Sequence, residues 1–284
     1  NAGGIAYIGD SPSGDFSKRR LKKVYKKTGL LTLSEEIGIE LNYNTKSKKI
    51  TIPQAKKLRK TRICEFATDA DKIIALPKLK THSLMILSLA SKIMFGVIPG
   101  ILKASYHARF IKKSDFANML LDILFVHPPT LFIMDAIIAM EGEGPMSGTP
   151  KDCGTILAST DAIAMDIAVC EMINIQPLGI PTLRQAKLRN MWPEKISYPL
   201  LNPEEVKQTD FILPSTANHL LDDEKNPPKI PVITNDCVGC GECVNICPKK
   251  TINMKHKRAK INLTNCIRCY CCHEVCTYTA IKLT

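Results

Sequence analysis

The chain has 284 residues, 45% of them hydrophobic, which excludes intrinsic disorder and collagen-like repeats and allows one main core with a smaller annex. Lys and Arg total 39 against 27 Asp and Glu, so the net charge is +12 and the surface should attract acidic proteins or other polyanions. No apolar run reaches the ~18 residues that a membrane-spanning helix needs, because Lys92 interrupts the most apolar stretch. We expect a cytoplasmic protein without a transmembrane segment.

The chain opens with a short buried-strand pattern over residues 4–10, followed by a Ser-Pro-Ser-Gly turn and a strongly basic helix pattern. Leu21, Val24 and Tyr25 have the helical spacing that would face a core, so we interpret the seven basic residues around them as a solvated face. Nucleic-acid binding is not predicted, because aromatic content is only 6% and no reading module is present. The chain begins with neither Met nor a charged-then-apolar leader, so we expect no signal peptide and a natural start further upstream.

Strand and helix patterns alternate through the first two hundred residues. The strand patterns after the first are 49–52, 72–76 and 130–136, and the helical patterns are 84–94, 115–125 and 161–173. This alternation predicts an α/β fold with a mostly parallel sheet, whose functional residues would follow the carboxyl ends of the strands. We therefore assign an α/β domain to residues 1–200 and a proline-rich linker to residues 201–228.

The remaining residues, 229–284, form a cysteine-rich module that holds nine of the twelve cysteines. Two runs follow the spacing C-x2-C-x2-C-x3-C, which is typical of bacterial two-cluster ferredoxins. In that pattern three thiolates of one run bind a cluster and the fourth cysteine binds the neighbouring cluster. We thus expect two [4Fe-4S] clusters in a small α+β unit, the first held by Cys237, Cys240, Cys243 and Cys276, and the second by Cys266, Cys269, Cys272 and Cys247.

Zinc is the structural alternative for these cysteines, but zinc sites group their ligands as two pairs rather than as two runs of four. The second run contains an extra thiol, Cys271, beside Cys272. Spacing favours Cys272 as the ligand, and a local change of register would use Cys271 instead. Cys64, Cys153 and Cys170 lie outside the repeat and are expected to be small buried thiols.

The segment between the two runs reads as a short hairpin with a basic turn. The cysteine-rich module keeps a positive balance of charge even after two anionic clusters are counted. We therefore expect an acidic redox-partner protein.

Several motifs of the first domain resemble the family built on domain of unknown function 362 (DUF362), which is often followed by a two-cluster ferredoxin tail. They are Ile8-Gly9-Asp10-Ser11-Pro12, Leu76 to His82, Lys92 with Gly96 and His107, Met134-Asp135, Glu141 to Pro145, Gly148, and Ala158 to Asp161 with Asp166. The resemblance covers nearly the whole chain, although the front end is shorter than the usual opening strand of the family. It implies an architecture and a candidate pocket, since the family has no settled reaction.

The resemblance marks two sets of candidate residues. Lys80, His82, Lys92 and His107 would carry proton-transfer chemistry or bind a metal, and Asp10, Ser11, Asp135 and Glu141 would bind an unidentified cofactor or small-molecule substrate. We expect Lys80 and His82 to follow a buried strand, His107 to follow a loop, and residues 141–148 to form another loop. Each of these polar residues could instead cap or cross-link a loop, and Asp166 is expected to be an interior hydrogen-bond partner.

The most complete hypothesis is an oxidoreductase whose clusters relay electrons to a substrate or cofactor in the first domain. A non-enzymatic electron-transfer or adaptor subunit of a redox complex is the second hypothesis, and the basic surface fits it. The order His82, Lys92, His107 also resembles the nickel-pincer lactate racemases, so a proton-transfer enzyme with a metal cofactor is the third.

Overall fold

The structure is a computed structural model that describes residues 3–217 and 228–284. Its strands are β1 Tyr7–Ile8, β2 Glu40–Leu41, β3 Ser47–Thr51, β4 Lys60–Cys64, β5 Ile74–Ala75, β6 Lys78–His82, β7 Ile86–Ser88, β8 Leu131–Glu143, β9 Ser147–Ser159, β10 Pro231–Ile233, β11 Ile252–Lys255, β12 Arg258–Ile261 and β13 Ile281–Leu283. Its helices are α1 Lys18–Lys27, α2 Leu30–Ile37, α3 Glu65–Thr68, α4 Ala90–Ile93, α5 Gly100–Arg109, α6 Lys113–Leu124, α7 Ala162–Met172, α8 Pro181–Leu188, α9 Glu242–Ile246 and α10 Cys271–Val275. The described residues also contain short 3-10 turns at Met94–Val97, Pro177–Gly179, Pro203–Val206 and Ser215–Ala217.

A five-stranded sheet organises the first domain, and the long strand β8 is its centre. Strands β5 and β6 run parallel to β8, whereas β7 pairs antiparallel with β6 and β9 pairs antiparallel with β8. Helix α7 packs on β9, and α6 and α8 join the same hydrophobic core through contacts with other helices. The predicted α/β class is confirmed.

The helix patterns at 18–27, 115–125 and 161–173 correspond to α1, α6 and α7. All seven basic residues of α1 are exposed, while Leu21 and Tyr25 are fully buried, as the pattern predicted. Helix α7 begins where the Asp161 side chain accepts hydrogen bonds from the backbone N–H groups of Ile163 and Ala164.

Residues 84–94 do not form the single helix that their apolar pattern suggested. The segment contains β7, an extended turn and the four-residue helix α4, and Ile86 has a φ of 70°. Because nearly every side chain here is buried on all sides, the sequence lacks the polar face that separates a helix from a buried strand. Residues 141–148 are also not a loop: β8 and β9 continue into the segment, and only residues 144–146 form the turn.

The cysteine-rich unit contains two antiparallel strand pairs, β10 with β13 and β11 with β12, and two short helices, α9 and α10. The pair β11–β12 is the predicted hairpin. A separate small core of Cys243, Ile252, Ala259, Cys272 and Ile281 holds this unit together.

The predicted linker lies partly outside the described residues. The described part of the linker packs on the main core through Val206, Phe211, Leu213 and Ala217. On the other side of the gap, Tyr270 and Leu283 of the cysteine-rich unit join the same core. Within residues 3–217 and 228–284, no helix has the length and apolar character needed to cross a bilayer.

A fully buried carboxylate fixes the segment that precedes β4. The Asp122 side chain accepts hydrogen bonds from the backbone N–H groups of Lys56, Lys57 and Leu58 and forms an ion pair with Arg189 at 2.9 Å. Asp122→Ala leaves these donors and the Arg189 guanidinium without their acceptor, so the free energy of unfolding should fall by about 3–5 kcal/mol in chemical denaturation.

The matched control is Asp115→Ala on the same helix. Asp115 pairs with Lys57 at 2.8 Å, but both side chains are partly exposed, so the loss should stay near or below about 1 kcal/mol. Equal losses for the two variants would contradict the role given to Asp122.

Candidate functional site

Two hollows in the cysteine-rich unit are bordered by thiols. The first is lined by Cys237, Cys240, Cys243 and Cys276 together with apolar residues. The second is lined by Cys247, Cys266, Cys269, Cys271 and Cys272. The structure therefore brings together three cysteines of one run with the last cysteine of the other, in both hollows. Soft thiol donors, four around the first hollow and five around the second, suit an iron–sulfur cluster.

The two halves of the repeat share an unusual backbone. Gly239 and Gly241 have φ values of 73° and 80°, and the equivalent residues of the second run, Arg268 and Tyr270, have φ values of 53° and 63°. A Cβ at Gly239 would lie 2.2 Å from the carbonyl oxygen of Lys257, so only glycine fits there. Left-handed residues at matching places curl both loops in the same way around their thiols.

Cys271 is buried and lies beside the second hollow. Five thiols therefore border this hollow, whereas one cluster needs four cysteine ligands. Cys64, Cys153 and Cys170 are free and buried in the first domain, as predicted.

A second candidate site lies in the first domain, where three elements bring Lys80, His82, Lys92 and His107 together. Strand β6 carries Lys80 and His82, which therefore lie on the strand and not after it. Lys92 is on α4, and His107 is on α5. Asp166 accepts hydrogen bonds from the backbone N–H groups of Ala90 and Ser91 and so fixes the start of α4, which confirms its predicted interior role.

Phe95 is the apolar centre of this site. The Nζ atoms of Lys92 and Lys103 each lie 5.7 Å from its ring centroid, and the His107 ring lies 6.4 Å from it. His107 also packs against Phe116, with ring centroids 4.4 Å apart. The two aromatic rings screen one side of the polar cluster from water.

The loop that carries Asp10 and Ser11 closes over the start of α5. The Lys103 ammonium donates a hydrogen bond to the carbonyl oxygen of Ser11, and the Ser11 N–H donates to the carbonyl oxygen of Gly96 at 3.0 Å. Gly100 makes this approach possible, because a Cβ there would lie 2.2 Å from the carbonyl oxygen of Pro12. The loop that carries Asp10 and Ser11 therefore neighbours the histidine–lysine cluster, which consists of Lys80, His82, Lys92 and His107.

The tautomer of His82 follows from its hydrogen bonds. Its Nδ1 accepts from the backbone N–H groups of Leu84 at 3.1 Å and Met85 at 3.4 Å, so the ring proton is assigned to Nε2. Nε2 lies 3.4 Å from the Oε1 atom of Glu274. Glu274 is on α10 of the cysteine-rich unit, two residues from both Cys272 and Cys276.

Burial sets the charge states of this site. It lowers the pKa of His107 to about 3, with Lys92 adding to the effect, and it lowers the pKa of His82 well below the ordinary value. Both imidazoles are therefore neutral at physiological pH. Burial also lowers the pKa of Lys92 and raises the pKa of Glu274, and attraction between the two groups opposes both shifts.

Two of the residues singled out by the sequence have other partners. Asp135 is exposed and forms an ion pair with Lys78 at 2.6 Å. Glu141 is buried, and its Oε2 accepts a hydrogen bond from the backbone N–H of Ile212 at 2.9 Å. Glu141 thereby fastens the chain that leads to the cysteine-rich unit, and neither carboxylate faces the histidine–lysine cluster.

Sequence reasoning missed Lys103, Phe95 and Glu274. Lys103 stands four residues before His107, so a helical reading of residues 100–109 would have placed both on one face. Glu274 carries no local signal, because its position beside His82 depends on how the two units pack.

The chain matches known sequence families in both units. The family described as "Domain of unknown function (DUF362)" matches residues 1–171, and the "4Fe-4S dicluster domain" family matches residues 229–277. A thylakoid-associated protein of Synechocystis sp. is 32% identical over 216 residues, which cover 75% of this chain and 65% of that protein. A polyferredoxin-like protein of Methanocaldococcus jannaschii is 40% identical over a region that covers 17% of this chain and 38% of that protein. The chain spans less than two thirds of the length of either relative.

Gly100 gives a direct test of the site geometry. In Gly100→Ala the new methyl group clashes with the backbone of the Asp10–Gly14 loop, so the loop must move away from Lys103. We expect faster backbone amide exchange in residues 10–14 and a loss of about 1–3 kcal/mol in stability. Gly4→Ala is the control, because nothing lies within 4 Å of a Cβ built there. Unchanged exchange in the Gly100 variant would contradict the close packing of the loop.

Proposed function

The chain belongs to the DUF362 family, and from that premise we propose that it is an iron–sulfur oxidoreductase. The 4Fe-4S dicluster unit supplies single-electron transfer at low potential, and the first domain holds the small-molecule substrate or cofactor that exchanges those electrons. The observation that carries this proposal is the 3.4 Å approach between His82 Nε2 and Glu274 Oε1. This contact supports a short path between the candidate site of the first domain and α10, the helix that contains Cys272 and precedes Cys276.

The proposed ligands of the two clusters cross between the halves of the repeat. Cys237, Cys240, Cys243 and Cys276 hold the first, and Cys266, Cys269, Cys272 and Cys247 hold the second. The thiols that border each hollow support this assignment. In the second hollow, Cys271 lies close enough to act as a substitute for Cys272.

The side chains of the first domain have separate roles in this proposal. Lys80 and Lys92 are half-buried and bind and orient the small molecule. His107 is neutral, and its Nδ1 has no hydrogen-bond partner in the described part of the chain, so it can accept a proton from a bound molecule. The Nε2 atom of His82 faces Glu274 Oε1 at 3.4 Å. Asp10 and Ser11 belong to the loop that covers the same site.

The external electron donor or acceptor is proposed to be an acidic protein. The net charge of +12 and the continuous basic face of α1 support this partner, because complementary charge accelerates encounter. Twelve free thiols fit a reducing compartment, which we propose to be the cytoplasm.

The crossed assignment of cluster ligands predicts which double cysteine variants lose one cluster and which lose both. The double variant Cys237→Ala/Cys276→Ala should lose half of the bound iron and sulfide, because both thiols serve one cluster. Cys237→Ala/Cys266→Ala should damage both clusters. Iron and sulfide analysis with EPR after anaerobic purification measures the difference, and Cys153→Ala is the control with a full complement. If the two double variants lost equal amounts, the crossed assignment would be wrong.

Electron delivery through the first domain predicts a loss of transfer without a loss of clusters. The photoreduced protein is mixed with the small-molecule fraction of an anaerobic bacterial extract, and reoxidation is followed by visible absorbance. His107→Asn should slow reoxidation by about 100-fold, the lower range for removing a proton-transfer group, while both EPR signals stay intact. His256→Asn alters an exposed histidine in the β11–β12 turn and should have no effect.

The adaptor hypothesis makes the opposite prediction for that experiment. If reoxidation occurred only with the protein fraction of the extract and His107→Asn left its rate unchanged, the first domain would be a docking platform and not a site of reaction.

A further inference from the structure

Three lysine side chains converge in the first domain. Lys80, Lys92 and Lys103 come from β6, α4 and α5, and Lys80 lies close enough to the other two to disfavour their charges. The Nζ atoms of Lys92 and Lys103 each lie 5.7 Å from the ring centroid of Phe95. Both ammonium groups therefore border the same aromatic ring. The fold therefore assembles a concentration of positive charge at a largely buried place.

The carboxylates that face these lysines are too few and are badly placed to neutralise all three. Asp10 attracts Lys80 and Lys103, but it is exposed and accepts a hydrogen bond from the Ser11 N–H at 2.7 Å. Glu274 attracts Lys80 and Lys92, and it is shared with His82. The two histidines add no negative charge. Three ammonium groups therefore face two carboxylates.

Several polar atoms of the site also lack partners. In residues 3–217 and 228–284, the Ser11 Oγ, His107 Nδ1 and Glu274 Oε1 atoms are buried without a hydrogen bond. Within those same ranges the Nζ atoms of Lys80 and Lys92 donate no hydrogen bond to the protein. Buried polar groups are normally paired, so these unpaired atoms point to a ligand that supplies acceptors to the ammonium groups and a donor to His107 Nδ1.

We infer that the cluster of Lys80, Lys92 and Lys103 binds an oxyanion, the carboxylate or phosphate group of a small substrate, with His107 Nδ1 and Ser11 Oγ facing the ligand. This inference rests on the proposed function and names the substrate class for it. Charge-assisted hydrogen bonds from lysine ammonium groups to an oxyanion are strong, and the low local dielectric strengthens them further. Phe95 and Phe116 leave an apolar wall for the rest of the substrate.

Two simple probes test the inference on the anaerobically prepared protein. Inorganic phosphate and malonate are titrated separately by calorimetry in a buffer of low ionic strength. We expect one saturable site for at least one probe. Binding of phosphate alone would indicate a phosphate ester, and binding of malonate alone would indicate a carboxylic acid.

Lysine variants locate the binding. Lys92→Gln and Lys80→Gln remove one ammonium group each and should weaken the anion by about tenfold or more. Lys49→Gln removes an exposed charge from β3 and should leave the affinity unchanged. Both tested lysines are half-buried, so neither substitution removes a fully buried side chain. We therefore expect at least one variant to fold and to keep the visible absorbance of the unmodified protein.

The outcomes separate this inference from the proposed function. No saturable binding of either probe, or equal weakening by Lys49→Gln and Lys92→Gln, would overturn the anion site even in a protein that contains both clusters. Conversely, a protein without iron would refute the electron-transfer proposal, while lysine-dependent anion binding to it would still support the site.

Discussion

Helix α10 is the constraint on which the rest of the molecule depends. It is only five residues long, so its side chains face in every direction over little more than one turn. Its two thiols, Cys271 and Cys272, border the second hollow of the cysteine-rich unit. Glu274 reaches the histidine–lysine cluster, and the His273 ring lies 3.4 Å from the carbonyl oxygen of Glu143. The first domain thus receives one of its few compensating carboxylates from the other unit.

This exchange makes the two units structurally interdependent. Without Glu274, Lys80 and Lys92 would lose their principal counter-charge from the second unit and would remain in a poorly solvated place. The segment before the cysteine-rich unit, which contains Ser215 and Thr216, is also fixed by the first domain. Glu143 accepts a hydrogen bond from the Ser215 N–H at 2.7 Å, and the Thr216 hydroxyl donates to the carbonyl oxygen of Ser83 at 2.6 Å. Both bonds form next to the strand that carries His82.

The sequence predicted what short spacing encodes and missed what packing decides. The cysteine runs were readable because a ligand loop is only a few residues long, and α7 was readable because Asp161 caps it. The segment 84–94 was misread because full burial removes the amphipathic pattern. Glu274 was invisible because its partner His82 is far away along the chain. Asp135 belonged to a recognisable motif, yet the side chain pairs with Lys78 at the surface, which no motif could indicate.

The residue composition of the histidine–lysine cluster in the first domain is explained better by a function than by a contribution to stability. Replacing a buried ionic cluster with well-packed apolar side chains is often neutral or stabilising by about 1–4 kcal/mol, so stability alone does not explain three lysines and two histidines at this place. The surrounding residues show that an apolar solution was available, since Phe95 and Phe116 already pack there. Under the proposed function, the unpaired polar groups beside these rings would receive a charged molecule. The contact between His82 and Glu274 would then set that molecule close to α10, whose Cys272 is a proposed cluster ligand.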